Sequence, residues 1–596
     1  MRRFLLLTGL LGGAFPVFAQ SAPQPVFDES IVVTASVDAQ TKTETSATVT
    51  VIDAKEIAER QATTVAEVLR TVPGLAFSQS GSVGHATSLF TRGTDSNHTL
   101  VLWNGVPLNE PYIGGFDWSS LSTEGVERVE VVRGPFSSVY GSAALGGVVQ
   151  VLGATPEGVN LRLEGGDKGW GRGALVAGHR VGNLELGLTG HVQRGDGELP
   201  NDFYDTDEAS ANARWRFAPG MNVAVLARWN RSSIGIPRSG TTLTPHQQQD
   251  ANDTQIAIPV HIDRGAWQIE GLLSQNSTDL VYKNPGDAFG FTRSDTETEA
   301  DRGRIAATYR LQGGLALSAG GDWELQKVTA GSVFGSNLDD THRRNWGTFG
   351  EMSWTASRYT VDAGLRRDDN QAYGVHTSPR LGVRVSLPGS WSLRANYGEA
   401  FRAPSFSELY FPYSGNLNLK PETSRGSELG VAFEPGAWTV RVTGFRNDLH
   451  ELIDFDFATF TSVNVGRART QGIEGEVGYV AGCWSVHANA TYLDATNLDD
   501  GTELLNRPRW NGSVVLAWSP ERWTLSSTVR YAGERRSYPY IALPSYTLLE
   551  VGAAWRWSPL LQPYARVQNA LDRRYQEIAG YPSPRRAFVG GLALRF

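Results

Sequence analysis

The stretch Val126–Val149, VERVEVVRGPFSSVYGSAALGGVV, decides how the rest of this chain is read. It opens as a valine-rich strand over residues 126–132 and turns at Arg133-Gly134-Pro135. A small-residue run over 141–147 then leads into a second strand over 148–152. Glycine and proline between two such strands mark tight turns and close backbone approach, the signs of a compact packed segment. The flanking sequence agrees. Residues 47–52 (ATVTVI) read as a strand, Asp53 caps a helix over 54–61, and Thr64 caps one over 65–71 that Pro73-Gly74 ends. Residues 90–92 and 100–103 read as strands, the second turning at Asn104-Gly105. Residues 39–158 are therefore expected to form a mixed α/β domain with long polar loops at 78–87 and 109–117.

From residue 159 to Phe596 the rhythm changes. Strands of about 9–15 residues alternate apolar with polar side chains, the pattern of a wall with one greasy and one wet face. Tight turns such as Leu387-Pro388-Gly389-Ser390 and Glu434-Pro435-Gly436 alternate with long polar connections at 195–208, 232–253, 335–344, 406–423 and 535–544. Trp391, Trp438, Trp484 and Trp523 each follow a short turn, where an interfacial girdle would lie. At roughly 20 residues per strand and connection, about 22 antiparallel strands are expected in a transmembrane β-barrel. So wide a barrel leaks unless filled, and the preceding α/β segment has the size to plug it. A soluble β-sandwich would offer these hairpins no second layer.

Composition fits this architecture. The 596 residues include 66 Gly, 17 Trp, 19 Tyr and 24 Phe, with one Cys and three Met. Mean hydropathy is −0.28, as expected when only every second strand residue is apolar. Beyond the N-terminus no run of ~18 apolar residues exists to span a membrane as a helix. The net charge of −8 argues against a nucleic-acid partner. Residues 1–19 read as a secretory signal, with Arg2 and Arg3 before an apolar stretch and a small-residue cleavage site at Ala19. Residues 20–38 read as a flexible segment carrying a short strand-former, Ile31, Val32, Val33, Thr34 and Ala35, with no intrachain partner in view. Such a strand can add to the sheet edge of another protein. Cys483 is alone, so no intrachain disulfide forms. His85, His98, His191 and His376 are scattered away from any nucleophile motif, which argues against an enzyme.

These residues carry a resemblance to the TonB-dependent outer-membrane receptors, over essentially the whole mature length. IVVTA at 31–35 resembles the TonB box, Thr91-Arg92-Gly93 with VLWNGVPLN at 101–109 resembles the plug core, and residues 127–149 resemble the most specific plug signature. FRAP at 401–404, NLNLKPET at 416–423, and VQNALD at 567–572 with Tyr575 resemble the barrel motifs. The alternating strand ending in Phe596 resembles a signal read by the barrel assembly machinery. Within the family the chain is most similar to the cobalamin (vitamin B12) transporters, through FRNDL at 445–449, GRAR at 466–469, GIEG at 472–475 and the plug stretch 91–108. Ferric-siderophore receptors share much of this and are the alternative. A haem receptor is disfavoured, since no histidine lies between Pro404 and Asn416.

The resemblance implies active import across the outer membrane of a Gram-negative bacterium, in contact with its lipids and powered by TonB and its inner-membrane complex. It implies a box at Ile31–Ala35 that pairs with TonB. It implies capture of a corrinoid, or a ferric siderophore, where plug loops meet the long barrel loops. The expected contacts there are Ser80, Ser82, Val83, His85, Asn109, Tyr112 and Phe116. It further implies that Arg92 and Arg133 of the plug pair with Glu428 and Glu474 of the barrel. No cofactor is required. Calcium is a candidate at Asp196, Asp202, Asp205 and Asp207, because hard cations take several carboxylate oxygens.

Overall fold

The computed structural model describes residues 31–596 apart from 33, 240–241, 412–413, 457–458 and 465. The expected signal at 1–19, the segment 20–30 and Val33 lie outside the described residues. The large domain is a closed barrel of 22 antiparallel strands. Its first strand, Gly158–Gly166, pairs with the second, Gly171–Val181, and also with the last, Ala587–Arg595, so no edge is left open. Alternation sets the two faces. In the strand Trp391–Arg402, Leu393 and Tyr397 face outward while Arg394 is buried in the lumen. The short-turn aromatics meet directly across strands: Trp391 lies 4.6 Å from Phe433 and Trp438 4.7 Å from Tyr479, with exposed rings forming the expected girdle.

Strand length departs from expectation. The connections anticipated at 232–253 and 335–344 are themselves strand: Met221–Ser239 pairs with Thr242–Arg264, and Gly335–Ala356 runs for 22 residues. At ~3.3 Å per residue these hairpins far exceed the ~10 residues that cross a bilayer, so they stand well beyond it. Polar residues misled the sequence reading because strands outside the membrane have no apolar face to declare.

The plug fills the lumen. Its five-stranded sheet runs in the order Val49–Asp53, Val126–Arg133, Gly147–Gly153, Thr99–Trp103, Val106–Pro107. Only the Gly147–Gly153 and Thr99–Trp103 pair is parallel. Val129, Val131, Val149 and Val101 stack into one buried core with Trp118 beneath the helices Ala54–Arg60 and Val65–Leu69. Asp53 and Thr64 cap those helices, accepting from the backbone N–H of Glu56 and Glu67.

Candidate functional site

The plug is held by a buried charge cluster. The Arg92 guanidinium donates to both Glu474 oxygens at 2.8 and 3.0 Å and to Glu428 at 2.6 Å. Arg133 donates to Glu474 at 3.0 Å and to the Pro73 carbonyl at 2.9 Å. All four residues named from the sequence thus meet. A fifth, Glu476, was missed, although it accepts from Arg133 at 2.9 Å. The signal was present: Glu474 and Glu476 are two apart on one strand and must share a face. Gly74 explains the Pro73-Gly74 turn, since at φ +75 a Cβ there would sit 2.1 Å from a Glu474 oxygen.

The box segment has an intrachain partner after all. Ile31–Val32 pairs with Gln40–Thr41, and Val32, Thr34 and Ala35 are wholly buried. Thr34 donates from its N–H (3.0 Å) and its hydroxyl (2.6 Å) to Glu130 of the plug sheet. Tyr140 donates to the Thr34 carbonyl, and Arg380 of the barrel to that of Ala35. The sequence hides this contact because its partners lie 96 and 345 residues away.

The two expected capture loops touch, the Thr87 N–H donating to Asp117 at 2.9 Å, but their seven named residues do not line one cavity. Ser82 and His85 are tied to Asp202 of a barrel loop, at 2.6 and 2.8 Å. The Ser80 N–H donates to the Ala86 carbonyl within its own loop. Val83 borders a crevice beside Arg70 and Arg585. Tyr112 packs against Phe406 and Val328, and Phe116 sits edge-on to Trp118 at 5.1 Å. Of the seven, Asn109 alone lines the principal cavity, its side chain pinned by the Val101 N–H and the Thr99 carbonyl.

That cavity, of about 370 Å³, runs between the plug and one side of the barrel wall. Ser36 and Val37, next to the box, border it at the short-turn rim, and Pro111, Gly114 and Ser405 at the long-loop rim. Halfway up, Arg366 donates to Asp322 through two 2.7 Å bonds and also to Asp368. Arg304 reaches the Val139 carbonyl at 3.0 Å and lies over the Phe349 ring. Glu110, also on the wall, accepts from the N–H groups of Tyr112 and Ile113, and burial pushes its carboxyl up to about 7. Glu110 belongs to the plug loop expected to take part in capture, whereas Arg304, Asp322 and Arg366 were not singled out from sequence, each being an inward polar position among many.

The four aspartates offered for calcium do not converge. Asp202 is committed to Ser82, His85 and the N–H groups of Glu198 and Leu199, and Asp205 and Asp207 face Arg194. No cluster of three or more His, Cys, Asp or Glu suited to a metal occurs among the described residues.

A family model described as "TonB dependent receptor-like, beta-barrel" matches residues 160–570, and one described as "TonB-dependent Receptor Plug Domain" matches residues 41–148. The chain belongs to the TonB-dependent receptors. It is a β-barrel transport protein of the outer membrane, in a family of transporters and receptors rather than enzymes. This receptor is 27% identical to the vitamin B12 transporter BtuB of Vibrio vulnificus, covering 97% of this chain and 96% of that one. It is 28% identical to the vitamin B12 transporter BtuB of Photobacterium profundum, covering 96% and 98%. Among solved structures, a ferric enterobactin receptor (PfeA) variant from Pseudomonas aeruginosa superposes with a TM-score of 0.80 at 21% identity, covering 95% and 100%, a likeness of fold.

Proposed function

We propose that this receptor imports vitamin B12 or a related corrinoid. The observation that carries the reading is end-to-end similarity, through plug and barrel alike, to proteins described as vitamin B12 transporters. The large cavity supports it, because its wall offers many neutral amides and paired charges, such as Asn104, Asn109, Asn345 and Asn370, that suit an amide-fringed solute.

The box at Ile31–Ala35 couples import to TonB. A strand of this kind recognises its partner through main-chain bonds, so TonB can engage it only once the bonds to Glu130 and Arg380 are released. Solute arriving in the cavity touches Ser36 and Val37, the residues that continue the box. Binding outside and release inside are then linked, and each must favour the other equally. Force on the freed box would be opposed by the buried Arg92, Arg133, Glu428 and Glu474 cluster, which keeps the plug seated.

The test is equilibrium binding of cyanocobalamin to the purified receptor beside a panel of ferric siderophores. Cobalamin binding with silent siderophores is expected; the reverse pattern would transfer the site to an iron chelate. Thr34→Pro should leave binding intact and abolish uptake, because proline cannot donate to a strand ladder.

A further inference from the structure

The cavity wall carries a row of side chains in register across five neighbouring strands. Ser274 stands opposite Arg302, Arg302 opposite Glu324, Glu324 opposite Asn345, and Asn345 opposite Asn370, and all five line the cavity. Buried polar groups normally find partners, so the atoms left over are informative. Among the described residues, three buried side-chain atoms on this wall have none: Ser274 Oγ, Arg302 Nη1 and the Tyr373 hydroxyl. Every one of them can donate, and no buried carboxylate oxygen of the wall is left over. Glu324 engages Arg302 only through Nε, at 2.6 Å, which leaves Nη1 without a partner on the residue opposite Ser274. Two residues along the same strand face from Asn345, Arg343 is buried with Gln326 and the Pro404 carbonyl as its acceptors, and no carboxylate pairs with it. The wall therefore holds unmet donors.

We infer that this row is an oxyanion-reading subsite: Arg302 Nη1 and Ser274 Oγ receive a singly charged oxyanion of the transported solute. The inference rests on the import reading above and adds a demand on the solute, which must carry a phosphodiester or a carboxylate. Arg343 balances the incoming charge through space, and Tyr373 supplies a further donor on the same wall. A guanidinium is suited to this task because it stays charged and presents its donors in a fixed plane.

The experiment uses the full-length receptor, the variants Arg302→Gln and Ser274→Ala, and the double variant Arg302→Gln/Glu324→Gln, which leaves no unpaired carboxylate. Heat-modifiable migration confirms that each barrel is folded. Dimethyl phosphate and ¹³C-acetate, the bare forms of the two anions, are titrated first and followed by ³¹P and ¹³C line broadening. Broadening by the wild type that disappears in both Arg302 variants is expected. Equal broadening in all proteins, or none in any, overturns the subsite. Cyanocobalamin is then compared with dicyanocobinamide, which lacks the phosphodiester. If the oxyanion is that phosphodiester, the Arg302 variants should lose roughly tenfold or more in affinity for cobalamin, the scale of a charged hydrogen bond, and keep their affinity for cobinamide. Equal losses for the two corrinoids overturn the subsite. If no corrinoid binds, the corrinoid reading falls. The subsite then stands only if a carboxylate-type ferric chelate binds and is weakened by Arg302→Gln.

Discussion

Arg133 and Glu110 show how burial turns single side chains into testable quantities. Removing one partner from a buried ion pair leaves the other desolvated and alone, at about 3–5 kcal/mol. Arg133→Ala strips Glu476 of its closer guanidinium contact, leaving Arg441 at 4.0 Å, and weakens the hold on Glu474. It should melt the plug at a lower temperature, seen as earlier proteolysis, and raise leak conductance in planar bilayers; unchanged values of both would refute the role given to the cluster. Glu110 is the pH-sensitive group. Burial raises its carboxyl from an ordinary value of 4.5 to about 7, so folding favours its protonated form. Its stabilising contribution is complete below about 4.5 and is lost as pH rises through about 7. Glu110→Gln mimics the protonated acid, so its melting temperature should gain on the wild type as pH rises across that window. Parallel melting curves would remove the assignment.

The box segment and the long hairpins behave as units. The box is latched by short bonds from Thr34 to one carboxylate, so Glu130→Gln should weaken that acceptor and free the segment. Maleimide labelling of Ala35→Cys, slow in the latched protein, should accelerate in the Glu130→Gln background; identical rates would mean that Glu130 does not hold it. In the loop before the strand Tyr204–Ala218, Asp202 accepts from Ser82 of the plug loop and faces His85 at 2.8 Å, and on that strand Asp205 and Asp207 face Arg194. With no metal-suited cluster among the described residues, chelation of calcium should leave solute affinity unchanged. A marked loss on adding EDTA, restored by calcium, would show that the loops rearrange around a cation.

For the assembled molecule the critical joint is the barrel seam. The Phe596 N–H donates to the Val159 carbonyl at 2.8 Å, and the Phe596 carbonyl accepts from the Val159 N–H at 3.0 Å. Deleting Phe596 removes both bonds at the closure and leaves the first strand partly unpaired. Less folded receptor should then reach the outer membrane, measured as the heat-modifiable fraction; wild-type levels would show the closure to be dispensable.

Much of this was legible from local patterns. Alternation from residue 159 onward makes a barrel because a strand with one apolar face must put that face on lipid, and the count of 22 strands follows from turn spacing. Asp53, Thr64 and Gly74 announced helix starts and a turn because caps and positive φ are chosen by residue type. Arg92, Arg133, Glu428 and Glu474 were found by resemblance, and the structure brings them together. What needed the third dimension was everything set by contacts across hundreds of residues. The Thr34 to Glu130 latch, the engagement of Asp202 by His85, and the register that lines Ser274 up with Arg302 leave no local trace. Periodicity says which side chains face the lumen. Only closure of the barrel around the plug decides which of them meet a partner and which are left facing the cavity.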